Sequence, residues 1–308
     1  MSFNPESVPR HEPQESELKQ ATIRLEFFRH DAKTAEATAG PRSEDADIRL
    51  TLEGRNHAKE QGKEKDPHPE TSIVYGSMRD RAMETSLRHM LANDERVTNE
   101  SSLEDMRALV GSNISKGRKD IATQLLDFEM EGNPEFNKVA YEHYIDKKDL
   151  LDWLWKESDR TVRDLHDKES SSYSRMAGNV AELINKYINI FPRWQKITES
   201  ESEKYAQFNN ELQRHFGSHQ SVLESFLMKV IQKTDGEEAV SDFIGSLKSR
   251  NGLDFSEGFS VEIEGGAEQE EVKVTFRDNQ WKVDRTTIRE IVAERDELDE
   301  SIENYEQP

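Results

Sequence analysis

The sequence Arg-Leu-Glu-Phe-Phe-Arg-His-Asp-Ala-Lys-Thr, residues 24–34, decides the fold prediction for this chain. Apolar side chains alternate with polar ones over residues 23–27, and this period of two is typical of a buried β-strand. The strand ends on Arg29 and His30, and a polar loop follows. An imidazole beside a guanidinium at the carboxyl end of a buried strand is well placed to receive and hold a phosphoryl group.

The chain beyond this strand alternates between helix and strand patterns. Residues 50–62 predict a helix with Thr51 as its N-cap, and residues 72–76 predict a second short strand. From about residue 111 to 205 the pattern changes to helical segments with polar spacers, and a further strand is predicted over 212–218. Alternation that resumes after a helical stretch predicts an α/β sandwich with a helical insertion.

Three segments near the C-terminus, 259–263, 272–276 and 280–283, again alternate apolar and polar residues, which predicts a small antiparallel meander. We therefore predict an α/β fold, a three-layer sandwich with a mostly parallel sheet, a helical insertion that forms a cap and a C-terminal antiparallel meander. The predicted boundaries are a disordered tail at 1–20, one α/β domain at 21–298 with its insertion at about 111–205, and an acidic tail at 299–308.

The composition excludes several classes of function. The 308 residues carry a formal net charge of −21, so binding to nucleic acid in general and to anionic membranes is not expected. The absence of cysteine excludes disulfides, thiolate catalysis and cysteine zinc sites. No apolar run has the length of a signal peptide or a transmembrane span, so we expect a soluble, cytoplasmic protein. Because the field of the whole protein repels a phosphate ester, such a substrate requires a local cluster of cationic side chains.

Four segments occur in an order that points to phosphate chemistry. They are Arg29-His30, Leu50-Thr51-Leu52-Glu53-Gly54-Arg55, Gly76-Ser77-Met78-Arg79-Asp80-Arg81-Ala82-Met83-Glu84-Thr85 and Phe216-Gly217-Ser218-His219. Together they resemble the histidine phosphatase superfamily, the phosphoglycerate-mutase-like group, whose chains carry Arg-His-Gly, Leu-Thr-x-x-Gly, Ser-Pro-Leu-x-Arg-Ala-x-x-Thr and Ser-His in this order. The resemblance covers about 22–110 and 207–232. The chain departs from it at Asp31 and Gln220, where glycine is usual, and at Met78 and Arg79.

The residues of these segments have defined roles in such a site. A neutral His30 attacks phosphorus and forms a phosphohistidine. Arg29 and Arg81 offer forked donors to the phosphoryl oxygens. His219, at the start of a helix, is expected to hydrogen-bond the same group. Lys33, three residues after His30, is expected to attract the anionic substrate at the pocket mouth.

The leaving-group oxygen needs a proton, so an acid is expected near the nucleophile. The resemblance implies a Leu-x-Glu segment after the second helix, and Asp105 stands at that spacing, with Glu104 as the adjacent alternative. Arg79 and Arg88, by contrast, are predicted to lie on a solvated helix face.

The resemblance implies a metal-independent phosphatase that hydrolyses a small phosphomonoester through a phosphohistidine, without a cofactor. His215 and His219 have the His-x3-His spacing of a metal pair, but no carboxylate-rich pattern accompanies them, so no metal site is predicted. A phosphoglycerate-type mutase is the nearest alternative. A non-catalytic phosphate-binding or regulatory protein on the same scaffold is another, because a carboxylate at Asp31 beside the phosphate would repel it. The sequence predicts neither the natural substrate nor the oligomeric state.

Overall fold

The structure of the protein is a computed structural model. It describes residues 20–34, 46–65, 67–110, 123–128, 132–247, 249, 251–265 and 270–304. Residues 1–19 of the predicted N-terminal tail and residues 111–122 and 129–131 of the predicted insertion lie outside the described residues.

The described strands and helices follow the predicted alternation. The strands are β1 (Thr22–Arg29), β2 (Ser72–Gly76), β3 (Glu211–Ser218), β4 (Gly258–Gly265), β5 (Glu270–Phe276) and β6 (Asn279–Val283). The α-helices are α1 (Leu52–Lys63), α2 (Asp80–Met90), α3 (Leu103–Val110), α4 (Pro134–Glu142), α5 (Leu150–Trp153), α6 (Asp159–Asp164), α7 (Tyr173–Ser200), α8 (Ser202–Ala206), α9 (Val222–Asp235), α10 (Glu237–Ser246) and α11 (Arg285–Glu303). No helix among the described residues has both the length and the apolar character needed to cross a bilayer.

The strands form one sheet in the order β2-β3-β1-β4-β5-β6. β3 pairs in parallel with β2 and with β1. β4 pairs antiparallel with β1, and β4, β5 and β6 form the predicted antiparallel meander. The prediction of a mostly parallel sheet is therefore wrong, and the sheet is mixed. The reason is that the meander joins the edge of β1 directly, and strands joined by short turns must run antiparallel.

Helices cover both faces of this sheet. The ring of Phe27 stacks on Phe216 at 4.5 Å, and Tyr187 of α7 meets Phe216 edge-on at 6.0 Å. The ring of Phe28 stacks instead on His89 of α2 at 4.1 Å. Since consecutive residues of a strand point to opposite faces, α7 and α2 lie on opposite sides of β1. This explains why β1 reads as a nearly continuous apolar run near its end.

The carboxyl ends of the three parallel strands meet at one edge of the sheet. The backbone N–H of His30, just after β1, donates to the carbonyl of Ser218 at 2.9 Å. The N–H of Ser77, just after β2, donates to the carbonyl of Gly217 at 3.0 Å. In open α/β sheets this edge is where ligands bind, and here it brings together His30, Ser77 and His219.

Gly217 allows α2 to lie close against this edge. A Cβ on Gly217 would stand 2.1 Å from the carbonyl oxygen of Ala82, so any other residue would push the helix away. The second residue of α2 is Arg81, and the close approach holds that side chain near the strand ends.

The described part of the predicted insertion is helical, but its last helix is longer than the sequence suggests. Pro192 taken alone predicts a helix end near residue 190, yet α7 runs on to Ser200. The proline removes one backbone hydrogen bond, and the buried Phe191 and Trp194 continue the apolar face. The indole N–H of Trp194 also donates to the carbonyl of Asn210 at 3.0 Å, which ties the last turns of α7 to the start of β3.

The acidic C-terminal tail predicted at 299–308 is shorter than expected. Helix α11 extends to Glu303, and Ile302 is buried together with Leu298. Apolar residues at this spacing share one helix face, so the helix packs rather than remaining solvated. Residues 305–308 lie outside the described residues.

Candidate active site

His30 is fixed in the tautomer that a nucleophile requires. Its Nδ1 lies 2.7 Å from the carbonyl oxygen of Asp31, and because a carbonyl only accepts, Nδ1 carries the proton. Nε2 is left with a lone pair, and the Nε–H of Arg81 donates to it at 3.2 Å. Burial holds the pKa of His30 well below its usual value, and the charges of Arg81 and Arg29 lower it further. The imidazole is therefore neutral and nucleophilic at neutral pH.

His219 lies beside His30, with its ring edge-on at 5.1 Å. Its Nε2 is 2.6 Å from the hydroxyl of Ser77, which accepts the backbone N–H of Arg79 at 3.2 Å. When that hydroxyl donates its own proton to Nε2, the histidine proton lies on Nδ1. The Nδ1 atom is buried and has no hydrogen-bond partner among the described residues. In that tautomer His219 offers a buried N–H donor next to His30.

Cationic side chains surround the two histidines. Burial holds the pKa of His219 well below its usual value, and after His30 the charges of Arg81, Arg79 and Lys33 lower it further. Arg81 and Arg79 are 2% and 1% exposed. In a protein with a net charge of −21, this is the local cationic cluster that an anionic substrate requires.

Arg79 and Arg88 do not lie on a solvated helix face, and that prediction is wrong. Arg79 is paired through its Nε with Asp127 at 2.9 Å and lies over the ring of Phe128 at 4.5 Å. Arg88 is fully buried and pairs with Glu84 at 3.1 Å. Both guanidinium groups are buried because a carboxylate compensates each of them.

Arg29 is held by the loop that precedes β4. Its guanidinium donates to the carbonyl of Leu253 and lies over the ring of Phe255 at 4.4 Å. Burial lowers its pKa, and the charge of Glu224 opposes that effect. Glu224, in the first turn of α9, is fully buried, and burial raises its pKa to about 7. The sequence analysis did not single out Glu224, because one glutamate at a helix start is an ordinary pattern.

Asp105 and Glu104 lie on the surface at the start of α3. Asp105 accepts the backbone N–H of Ser102 at 3.0 Å and its hydroxyl at 2.8 Å, while its own N–H donates to that hydroxyl at 3.1 Å. This reciprocal pattern is a capping box, and the bond from the Ser102 N–H lowers the pKa of Asp105. Among the described contacts, none joins either carboxylate to His30.

Asp127 is a carboxylate that the sequence analysis missed. It is buried, and its Oδ1 lies 3.4 Å from His219 Nε2 as well as 2.9 Å from Arg79 Nε. The segment that carries it is fixed to β3, because the hydroxyl of Ser218 donates to the carbonyl of Leu126 at 2.6 Å. No motif marks this segment, so only the fold reveals it.

The remaining motif residues support the loop after β1. The hydroxyl of Thr51 caps α1 by accepting the N–H of Gly54 at 3.0 Å, and the N–H of Thr51 donates to the carbonyl of Ala32 at 2.8 Å. A Cβ on Gly54 would stand 2.5 Å from that same carbonyl oxygen. Leu-Thr-x-x-Gly is therefore the sequence of a helix start that packs against the nucleophile's loop. Within the described part of the chain, no group of three or more metal-ligating side chains is placed to hold a metal ion.

Of the known proteins compared with this chain, only solved structures are similar to it. No protein-family model matches the sequence, and no curated protein matches it. The similar solved structures include a mycobacterial hydrolase (12% identity, 89% of this chain and 98% of that chain, TM-score 0.45). They also include a phosphoglycerate mutase from Bacillus anthracis (16% identity, 89% and 99%, TM-score 0.39). A mycobacterial glucosyl-3-phosphoglycerate phosphatase is a third (11% identity, 79% and 91%, TM-score 0.41). A phosphoglycerate mutase and a phosphatase are thus among the structures found.

Proposed function

We propose that this chain is a phosphomonoester hydrolase that acts through a phosphohistidine at His30, without a metal ion. The observation that carries the proposal is the state of His30, a neutral imidazole whose Nε2 lone pair is fixed among cationic donors. A buried histidine with a purely structural role needs no such cluster. The substrate we propose is a small phosphorylated molecule, because the cationic side chains around His30 suit a phosphoryl group.

The first chemical step is transfer of the phosphoryl group to His30. Nε2 forms a bond to phosphorus while the bond between phosphorus and the ester oxygen breaks, and the leaving oxygen takes a proton from a carboxylic acid. The forked donors of Arg81, the N–H of His219 and the charges of Arg29 and Lys33 stabilise the equatorial oxygens. In the second step water attacks phosphorus, the carboxylate takes a proton from that water, and the N–P bond breaks to release phosphate.

The carboxylate of Asp31 is compatible with turnover. On sequence alone it favoured a non-catalytic phosphate-binding protein, because an uncompensated negative charge would repel the substrate. In the structure the carboxylate accepts hydrogen bonds from three groups, the N–H of Ala32, the ring of His57 and the hydroxyl of Ser256. Its lone pairs are therefore occupied by neighbours within the fold.

We expect the wild-type protein to hydrolyse para-nitrophenyl phosphate, and we expect EDTA in large excess over trace metal to leave the rate unchanged. The physical reason is that cationic side chains, rather than an ion, stabilise the developing charge. The measurement is release of nitrophenolate at constant ionic strength, with and without chelator. A rate that depends on an added divalent metal would contradict the proposal.

The proton donor can be identified by leaving-group dependence. We propose Asp127 for this role, because it is buried beside His219, whereas Asp105, the candidate from sequence, caps a surface helix. Asp127 pairs with Arg79 in the resting protein, so the proposal requires that the bound phosphoryl group draws Arg79 away and lets Asp127 take up a proton. Asp127→Asn should lower turnover of an alkyl phosphate by about 10²-fold or more and affect para-nitrophenyl phosphate much less, since nitrophenolate leaves without a proton. Asp105→Asn serves as the matched control and should leave both rates nearly unchanged. If the two variants exchange these behaviours, the sequence-based choice of Asp105 is right.

A further inference from the structure

The residue after the nucleophile is an aspartate, where the proteins that the chain resembles carry glycine. In this chain Asp31 is almost fully buried and takes part in a group of contacts that the proposed chemistry does not use. Its carboxylate accepts from His57 Nδ1 at 2.6 Å and from the Ser256 hydroxyl at 2.6 Å. These residues come from α1 and from the loop before β4, so three separate parts of the chain meet at one carboxylate.

The carboxylate also holds the peptide unit that orients His30. The N–H of Ala32 donates to Asp31 Oδ1 at 2.7 Å. That N–H belongs to the same planar peptide as the Asp31 carbonyl, and this carbonyl accepts the Nδ1–H of His30 at 2.7 Å. A rotation of the peptide plane would break both bonds together. The side chain of Asp31 therefore fixes the direction of the carbonyl that sets the tautomer of His30.

The remaining backbone contact of Asp31 leads to the phosphate-binding arginine. The N–H of Asp31 donates to the hydroxyl of Thr85 at 3.1 Å, and this hydroxyl donates to the carbonyl of Arg81 at 2.9 Å. With its N–H, its carboxylate and its carbonyl all bonded, the backbone at Asp31 is constrained on both sides. His30 and Arg81 are thereby held in one network.

The backbone of Ser256 adopts a conformation that is uncommon for a serine. Its φ is +55°, in the left-handed region that residues other than glycine seldom occupy. Such positions persist where the surrounding structure fixes them, and they cluster at functional sites. The hydroxyl is buried, and it also lies 3.3 Å from Nε2 of His89. The hydroxyl has one proton, and it donates that proton to Asp31. The contact with His89 is therefore one in which His89 Nε2–H donates to the hydroxyl oxygen.

We propose that Asp31, held by His57 and Ser256, is a positioning residue that keeps the Asp31–Ala32 peptide turned toward His30 and so keeps His30 Nε2 available for attack on phosphorus. This inference rests on the proposed phosphatase activity for its kinetic consequences. It does not rest on that activity for its structural consequence, the tautomer of His30 in the resting protein.

The test compares three variants by steady-state kinetics on para-nitrophenyl phosphate: Asp31→Ala, His57→Ala and Ser256→Gly. Glycine is chosen at position 256 because it tolerates the positive φ, so that variant removes the hydroxyl without adding strain. We expect kcat to fall about 10- to 100-fold in Asp31→Ala, because a small displacement of the nucleophile is costly, and KM to change less than about threefold, because the phosphate-binding groups remain. Glu60→Ala, at an exposed position of the same helix as His57, is the control and should match the wild type.

Coupling between the variants separates positioning from a general loss of stability. If Ser256 and His57 act through Asp31, adding Ser256→Gly or His57→Ala to Asp31→Ala should lower kcat no further. If each substitution damaged the structure independently, the losses in kcat would multiply in the double variants. Wild-type kcat in all three single variants, or multiplicative losses in the double variants, would overturn the inference.

The tautomer of His30 is read separately, from long-range ¹H–¹⁵N spectra of the resting protein. We expect one species protonated on Nδ1 in the wild type and a mixture with the Nε2-protonated form in Asp31→Ala. His57→Ala, a half-exposed position, provides the same readout if Asp31→Ala does not fold. If the wild type had no phosphatase activity, the proposed function would be wrong, and these spectra alone would test the positioning role of Asp31. An unchanged tautomer in both variants would overturn it.

Discussion

His30→Ala is expected to abolish turnover of every phosphomonoester substrate, with a loss on the order of 10⁶-fold in kcat, the scale seen when a covalent nucleophile is removed from a hydrolase. In the proposed mechanism Nε2 is the atom that forms the bond to phosphorus, and Arg81 and His219 can bind a phosphate but cannot replace that bond. Phosphate binding should therefore survive in the variant while chemistry does not.

The intermediate can be observed directly. A rapid quench of the wild type with ³²P-labelled substrate should trap label that is stable in base and released in acid, as expected for a phosphorus–nitrogen bond. His30→Ala should trap none, and its melting temperature should stay close to that of the wild type. The matched control is His68→Asn, since the backbone N–H of His68 donates to the side-chain oxygen of Gln213 near the start of β3, at the opposite end of the sheet from the site, and the substitution keeps that N–H. Label that persists in His30→Ala would show that another residue is the nucleophile.

The positions of His30 and His219 were predictable because each motif ends a strand. β1 and β3 pair in parallel, so the residues after them must come together at one edge. Arg81 was predictable for a related reason, because its helix starts directly after β2. In each case a short local pattern fixes the position of a side chain once the strands have paired.

The carboxylates were not predictable in the same way. Asp127 reaches the site from a segment without a pattern, and its partner Arg79 is buried only because that segment folds over it. A pairing of this kind depends on tertiary structure alone. For Asp105 a local signal was present, since Ser102 and Asp105 have the spacing of a capping box. That signal favours a surface helix start over an acid near the nucleophile.

The sheet and the last helices show where local patterns and packing disagree. Alternating residues predicted β4, β5 and β6, but nothing local indicates that β4 pairs with β1. The helix end predicted by Pro192 is absent, because the apolar face of α7 continues beyond the proline. Burial of that face outweighs one lost backbone hydrogen bond. Packing decides both outcomes, and it is not visible in any single segment.

Arg81→Ala is expected to lower kcat/KM by about 10²- to 10³-fold, the usual cost of removing one preorganised donor to a developing charge. Arg81 is 2% exposed, and its Nε–H donates to His30 Nε2, the atom proposed to attack phosphorus. Once the phosphoryl group is bound, the same fork can bridge two of its oxygens. Arg81→Lys keeps the charge but loses the planar fork, so it should recover only part of the rate.

The pH dependence supplies a second readout for Arg81. The charge of Arg81 helps hold the pKa of His30 well below its usual value, so Arg81→Ala should raise that pKa. His30 is active when neutral, and the acidic limb of the pH–rate profile should therefore move to higher pH. A limb that stays in place would mean that Arg81 does not act on His30.

Arg88→Lys is the matched control for Arg81, because Arg88 lies on the same helix, is equally buried and pairs with Glu84 rather than with the site. Its replacement should lower the free energy of unfolding, since it disturbs a buried ion pair, but should leave kcat and the pH–rate profile unchanged. If Arg88→Lys lowers kcat as strongly as Arg81→Ala, the loss reflects a disturbed α2 and not the removal of a donor. If only the Arg81 variants lose rate, Arg81 stabilises the transferring phosphoryl group through its own guanidinium.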